Sequence, residues 1–409
     1  MLSKIVSYTN KEIWISFILI LSYLNATLKY GVEGNLTAFR LFLPFVIIQM
    51  LNDDKVRMIK FIFFGLFVVL YSYIVSLQFS PYNSFNFAFS LHYVLVPFCF
   101  YLMDYFVKQV GVVFLYRFFE RFYYVMIVLC FIQLFFGGLY PNIQDRSPMV
   151  SIFFWNENEL TTVFAVFIPI YFLIEKNIIK KIIWILLGLF FIVYSDARLL
   201  IIGLFIFFTA YFLVNNSFYR YRFLWIVIIV PLILILLVKF IDVPLFDEIT
   251  IRDLLVDSTT RIITLQEYDR IGSFTTRINS YIWGFIDLRE SYFMGIGPAN
   301  SFQLMLDKIV IGQEDFSAKS FHNILLQMIV ELGILGIWLF WRLIVFIKTA
   351  TVNSKGFKPV LVLSFYIAAL IFSTILSGAF SNYPFIFIIA FSYYLFQTEN
   401  VRNRILIKQ

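Results

Sequence analysis

The chain has 409 residues, 61% of them hydrophobic and 14% charged, with a formal net charge of +7. Soluble domains carry about 25% charged residues, so this composition excludes a soluble protein with a greasy tail and describes a polytopic membrane protein. Basic residues are dispersed, which excludes a nucleic-acid footprint. The two cysteines, Cys99 and Cys130, lie in apolar runs, which excludes a disulfide framework and a thiolate metal site.

Twelve apolar segments are able to cross about 30 Å of hydrocarbon. They lie near 12–28, 36–51, 59–79, 85–103, 120–140, 159–175, 180–196, 198–214, 222–241, 322–346, 358–377 and 383–397. The first run, from Ile13, has no small-residue cleavage site after it and reads as a retained span. The stretch 104–119 alternates Lys and Arg with Phe, Tyr and Val, the pattern of an interfacial helix. His92, in SLHYVLVP, falls within the fourth span and reads as a helix-packing hydrogen-bond partner.

Basic residues favour one side of these spans. Lys11, Lys55, Arg57, Lys108, Lys180, Arg220, Lys358 and Arg404 all fall in connections or termini assigned to the cytoplasm. The positive-inside rule then puts both termini in the cytoplasm. The expected organisation is a bundle of nine spans over 1–241, a large outer loop over 242–320, and three further spans with a cytoplasmic C-terminus over 321–409.

The loop holds 12 of the 25 acidic residues. It also holds RINSYIWGFIDL (277–288), where Ile278, Tyr281, Ile282, Phe285 and Leu288 recur at helical spacing. That stripe predicts a helix lying on the outer membrane surface or on the spans. GIGPANSF (295–302) then interrupts it with Gly and Pro.

Next comes KSFHNILLQMIVELGILG (319–336). Ser320 reads as an N-cap, which puts His322 in the first helical turn. The helix dipole disfavours a protonated imidazole there, as a general base requires; the other reading is a histidine resting at the interface. Glu331, nine residues on, points to the opposite face about 13 Å deeper. It cannot orient His322, and it reads as a carboxyl group that is protonated or hydrogen-bonded to a neighbouring helix, with Gly333 and Gly336 allowing close approach.

Arg198 and Arg277 lie at the outer side, where each can grip a phosphate with a bidentate fork. Simple snorkelling, or a pair with Asp196, also accounts for Arg198, and a solvated helix cap accounts for Arg277. Arg40, at the outer end of the second span, is a third candidate. Metal chemistry is not expected. Glu33 is the one acid in the first outer loop, and Glu267 with Asp269 is a pair that a charged loop offers by chance.

FFWNENEL (153–160), SDARLLIIGL (195–204), TTRINSYIWGFI (275–286), MGIGPANSF (294–302) and SFHNILLQMIVELGILG (320–336) together resemble the bacterial O-antigen polymerase and O-antigen ligase superfamily. The resemblance implies a GT-C-like helical fold in the bacterial inner membrane with a periplasmic active site. It implies a sugar chain on undecaprenyl pyrophosphate as donor and a metal-independent, cofactor-free transfer that inverts the anomeric carbon. It assigns His322 to activation of the acceptor and Arg198 and Arg277 to the pyrophosphate. Asn323, Asn158, Arg40 and Glu331 are candidates for a supporting role.

Polymerisation onto a second lipid-linked glycan is the favoured activity. Ligation to the lipid A core is the alternative, and a flippase is the rival of another class. Expected partners are the lipid-linked donor and acceptor, membrane lipids and a chain-length regulator, and no nucleic acid.

Overall fold

The computed structural model describes residues 10–24, 29–30, 36–136, 152, 154, 157–195, 197–214, 244–246, 249–250, 273–304, 323–374 and 382–399. The first helices are α1 Asn10–Tyr23, α2 Ala38–Asp53, α3 Lys55–Gln78, α4 Phe87–Phe136, α5 Glu157–Ile174, α6 Ile178–Tyr194 and α7 Arg198–Val214. They are followed by α8 Ser273–Glu290, α9 Asn300–Leu304, α10 Ile324–Leu332, α11 Ile334–Val352, α12 Pro359–Ser373 and α13 Tyr383–Gln397. Two short antiparallel ladders accompany them, β1 Lys29–Tyr30 with β2 Leu36–Thr37, and β3 Pro244–Phe246 with β4 Ile249–Thr250.

The protein is therefore helical and membrane-spanning. Among the described residues, helices at Lys55–Gln78, Phe87–Phe135 and Ile334–Val352 are long and apolar enough to cross a bilayer. Shorter apolar helices occupy Asn158–Ile174, Leu199–Val214, Pro359–Ser373 and Tyr383–Gln397. The ninth expected span, 222–241, lies outside the described residues. The stretch 104–119 is not a separate interfacial element. It continues α4, which bends at Gly111 (φ 81°) where the backbone leaves helical geometry.

Helix α5 lies at the centre, with Leu160, Val163, Phe164, Phe167 and Tyr171 buried against α4, α6, α7 and α13. Helices α3 and α11 are peripheral and turn large apolar side chains outward, among them Phe63, Leu66 and Trp341. In a membrane protein such faces meet lipid, so their exposure costs nothing there.

One end of the bundle is tied by charge. Asp104 accepts from Lys108 (2.5 Å), Tyr394 (2.9 Å) and Arg57 (3.1 Å), Asp53 accepts from Tyr105 (2.5 Å), and Lys11 donates to Gln109 (2.6 Å). These contacts join only helix ends that the charge bias assigned to the same side. Arg40, His92 and Tyr383 lie about 18 Å back along α2, α4 and α13 from Asp53, Asp104 and Tyr394, at the opposite end of the same helices.

The expected single span over 322–346 is broken. Helix α10 has 9 residues and stops at Gly333 (φ 54°, ψ −127°), from which α11 starts afresh. A break in a span strands backbone groups that hydrocarbon cannot satisfy. Here a turn after α8 satisfies them: Phe293 O accepts from Ile334 N (2.9 Å), while Ile296 N and Gly297 N donate to the carbonyls of Val330 (3.0 Å) and Glu331 (2.9 Å).

The backbones approach so closely that only glycine fits. A Cβ on Gly333 would fall on the carbonyls of Phe293 and Met294, and one on Gly295 on the carbonyl of Glu331. Gly111 also has positive φ, but a Cβ there meets nothing within 4 Å. Gly111→Ala should cost only the backbone strain of about 1 kcal/mol. Gly333→Ala adds a backbone clash and should lower the thermal midpoint in detergent much further; equal shifts for the two variants would refute this account of the break.

Candidate functional site

Two polar centres occupy the end opposite the charged one. The first is built on Glu331, which is fully buried. Its carboxylate accepts hydrogen bonds from the Tyr93 hydroxyl (2.5 Å), Gln327 Nε2 (2.9 Å), the Ala299 N–H (3.0 Å) and the Ser301 hydroxyl. The donors come from α4, α10 and the turn into α9. An ionisable group at this depth costs about 3 kcal/mol to insert. Four hydrogen bonds converging on the carboxyl group, at about 1 kcal/mol each, offset that cost.

Around the carboxylate, the turn is pinned at both ends. Asn300 Nδ2 donates to Ile296 O (2.6 Å), Ser84 O (3.0 Å) and Ser80 Oγ (3.2 Å), and Tyr71 donates to Met294 O (2.9 Å). At the α8 end, Asp287 is buried and accepts from Tyr82 (2.8 Å). Helix α8 does lie on the spans. Its packed face keeps Tyr281 and Leu288 of the expected stripe and adds Asp287, whereas Ile282 and Phe285 are exposed. The hydrogen-bonded carboxylate turns the helix by its own requirement for donors, which an apolar periodicity does not register.

The second centre is Arg40. Its Nε donates to the Tyr383 hydroxyl (2.9 Å) and its Nη2 meets His92 Nε2. His92 thus joins helices, and its Nε2 accepts, which fixes a neutral tautomer. Next to Tyr383, Asn382 caps α13 and donates to Glu159 O at the start of α5 (3.1 Å). Asn158 O accepts from the hydroxyls of Thr162 (2.6 Å) and Thr161 (3.4 Å), and Thr161 also meets Ser195, three residues before Arg198. The starts of α2, α5, α7 and α13 thus gather around one region. Helix α4 serves both centres, with His92 facing Arg40 and Tyr93 facing Glu331.

Helix α10 opens on Asn323, whose Oδ1 accepts from Leu325 N and Leu326 N, both at 3.1 Å. Asn323 is the cap, in place of the expected Ser320. An asparagine side chain reaches two orphan N–H groups here as well as serine would. Asn323 Nδ2 also lies 3.5 Å from the Tyr281 hydroxyl on α8.

His322 itself lies outside the described residues, as do Glu33, Asp196, Glu267 and Asp269. Arg198 is the first residue of α7 and Arg277 falls in the second turn of α8. Among the described residues no three His, Cys, Asp or Glu side chains gather closely enough to hold a metal ion. Among the described hydrogen bonds and ion pairs none links Arg40 to Glu331.

Tyr93, Ser301, Gln327, Tyr383 and Asp287 did not stand out in the sequence. Gln327 carried a usable signal, since it stands one helical turn before Glu331 on the same face. Asn323→Ala should destabilise α10 locally by about 1 kcal/mol. Hydrogen exchange at Leu325 and Leu326 should then rise, and Asn323→Asp should restore protection; unchanged exchange in the alanine variant would refute the cap.

Residues 183–341 match the model of a family described as O-antigen ligase. No curated protein matches the chain. The matched segment runs from within α6 to within α11 and takes in Arg198, Arg277, Asn323 and Glu331 as well as the broken span, whereas Arg40, His92, Tyr93 and Tyr383 fall outside it. Residues 183–341 are thus similar to that family, in agreement with the resemblance to the O-antigen polymerase and ligase superfamily.

Proposed function

We propose that this protein polymerises undecaprenyl-pyrophosphate-linked oligosaccharides into O-antigen or a related surface polysaccharide. The reaction takes place at the periplasmic face of the bacterial inner membrane, on a GT-C-like fold with cytoplasmic termini. The observation that carries this reading is the O-antigen ligase match over 183–341, which includes Arg198, Arg277 and His322.

In the proposed reaction the acceptor hydroxyl gives its proton to His322, and its oxygen bonds the anomeric carbon on the face opposite the pyrophosphate. The glycosyl–phosphate bond breaks, and its electron pair leaves with the lipid pyrophosphate. Back-side attack inverts the anomeric centre. Arg198 and Arg277 supply the positive charge that the leaving group needs, so no metal is required. A neutral imidazole is the form able to take the proton. The description of the matched family favours a second reading, in which the acceptor is the lipid A core.

Expression in a host lacking its own polymerase tests both readings. The wild-type chain should restore long chains on surface lipopolysaccharide. Losing one anion-binding donor costs about 10²–10³ in rate, and losing a general base about 10²–10⁴. His322→Ala, Arg198→Ala and Arg277→Ala, at unchanged protein level, should therefore each leave single repeat units. Long chains in all three variants would sink the site assignment. If the wild type restores glycan attachment only in a ligase-deficient host, the ligase reading stands.

A further inference from the structure

The Glu331 carboxylate joins pieces of chain that the reaction needs in register. Two of its donors, the Ala299 N–H and the Ser301 hydroxyl, belong to the turn that begins directly after α8, the helix of Arg277. A third, Gln327, belongs to α10, whose cap Asn323 follows His322. The fourth, Tyr93, anchors the assembly to α4. Backbone bonds from Ile296 and Gly297 to Val330 and Glu331 run in parallel, and glycine at 295 and 333 lets the two segments touch.

We propose that Glu331 is a positioning residue that clamps the helix carrying Arg277 to the helix mouth beside His322, and so sets the spacing of the phosphate grip and the base. This rests on the transferase reading above. Glu331 lies about 12 Å below the cap of α10, so it acts through placement and not by touching substrate.

The donor pattern predicts how substitutions sort. Glutamine can replace the carboxylate: its oxygen accepts from Ala299 and Tyr93, while its amide group donates to the Ser301 oxygen and to a flipped Gln327. Leucine removes every acceptor and leaves the Ala299 N–H and Gln327 buried without that partner.

The test follows amide exchange over residues 295–301 together with kcat/KM for transfer from a lipid-linked donor in nanodiscs. Glu331→Leu should raise exchange and lower kcat/KM about 100-fold, the effect of a misplacement of about 1 Å. Glu331→Gln should keep protection and most activity. If the leucine variant fails to fold, Ser301→Ala removes one donor and should cost about tenfold.

Glu331→Leu combined with Arg277→Ala should be little worse than Arg277→Ala alone, because one acts through the other. Normal exchange and transfer in Glu331→Leu would overturn the proposal. So would a protected but inactive Glu331→Gln, or penalties that multiply in the double variant. Full activity in Arg277→Ala alone would instead overturn the transferase assignment of that arginine, which tells the two failures apart.

Discussion

A span within hydrocarbon must satisfy every backbone N–H and carbonyl from within the protein. The rest of the structure depends on how this requirement is met at Gly333. The break there frees groups at the end of α10 and the start of α11, and the turn from Phe293 to Gly297 takes them up. A segment whose composition reads as an outer loop is thereby drawn down against the spans. Ser291, Ile296, Asn300 and Ser301 are buried there, while Tyr292 and Phe293 stay exposed.

Drawing the turn inward creates a second demand, because its polar groups also need partners. Glu331 answers it with one side chain for four donors, and its burial in turn is tolerable only because those donors converge. Each half of the arrangement therefore requires the other. Removing either would leave buried polar groups that no lipid or water can reach, and for this reason glycine, serine, asparagine and tyrosine crowd a region otherwise built from Phe, Leu and Ile.

The matched segment is not self-sufficient in this chain. Its carboxylate is held by Tyr93, and the region at the start of α5 and α7 is bordered by Arg40, His92 and Tyr383, all outside residues 183–341. Helix α4 carries two consecutive residues, His92 and Tyr93, to the two polar centres, since successive side chains on a helix diverge by about 100°. That one long helix ties the matched segment to the rest of the bundle.

The sequence by itself determined the membrane class and most helix positions, because hydrophobic length is a local property summed along a segment. The tertiary structure decided the rest. A glycine in an apolar run is compatible with a straight span or a break, and only the approach of Phe293 and Met294 selects the break. The stripe on α8 was legible as a helix but not in its rotation, which Asp287 and its partner Tyr82 set from a distant part of the chain. The cap moved from Ser320 to Asn323 because capping needs one residue with extended backbone beside free N–H groups, and several polar residues in KSFHN could supply it. The partners of Glu331 come from positions 93, 299, 301 and 327. No local pattern joins those positions; the shared need of buried donors for one acceptor does.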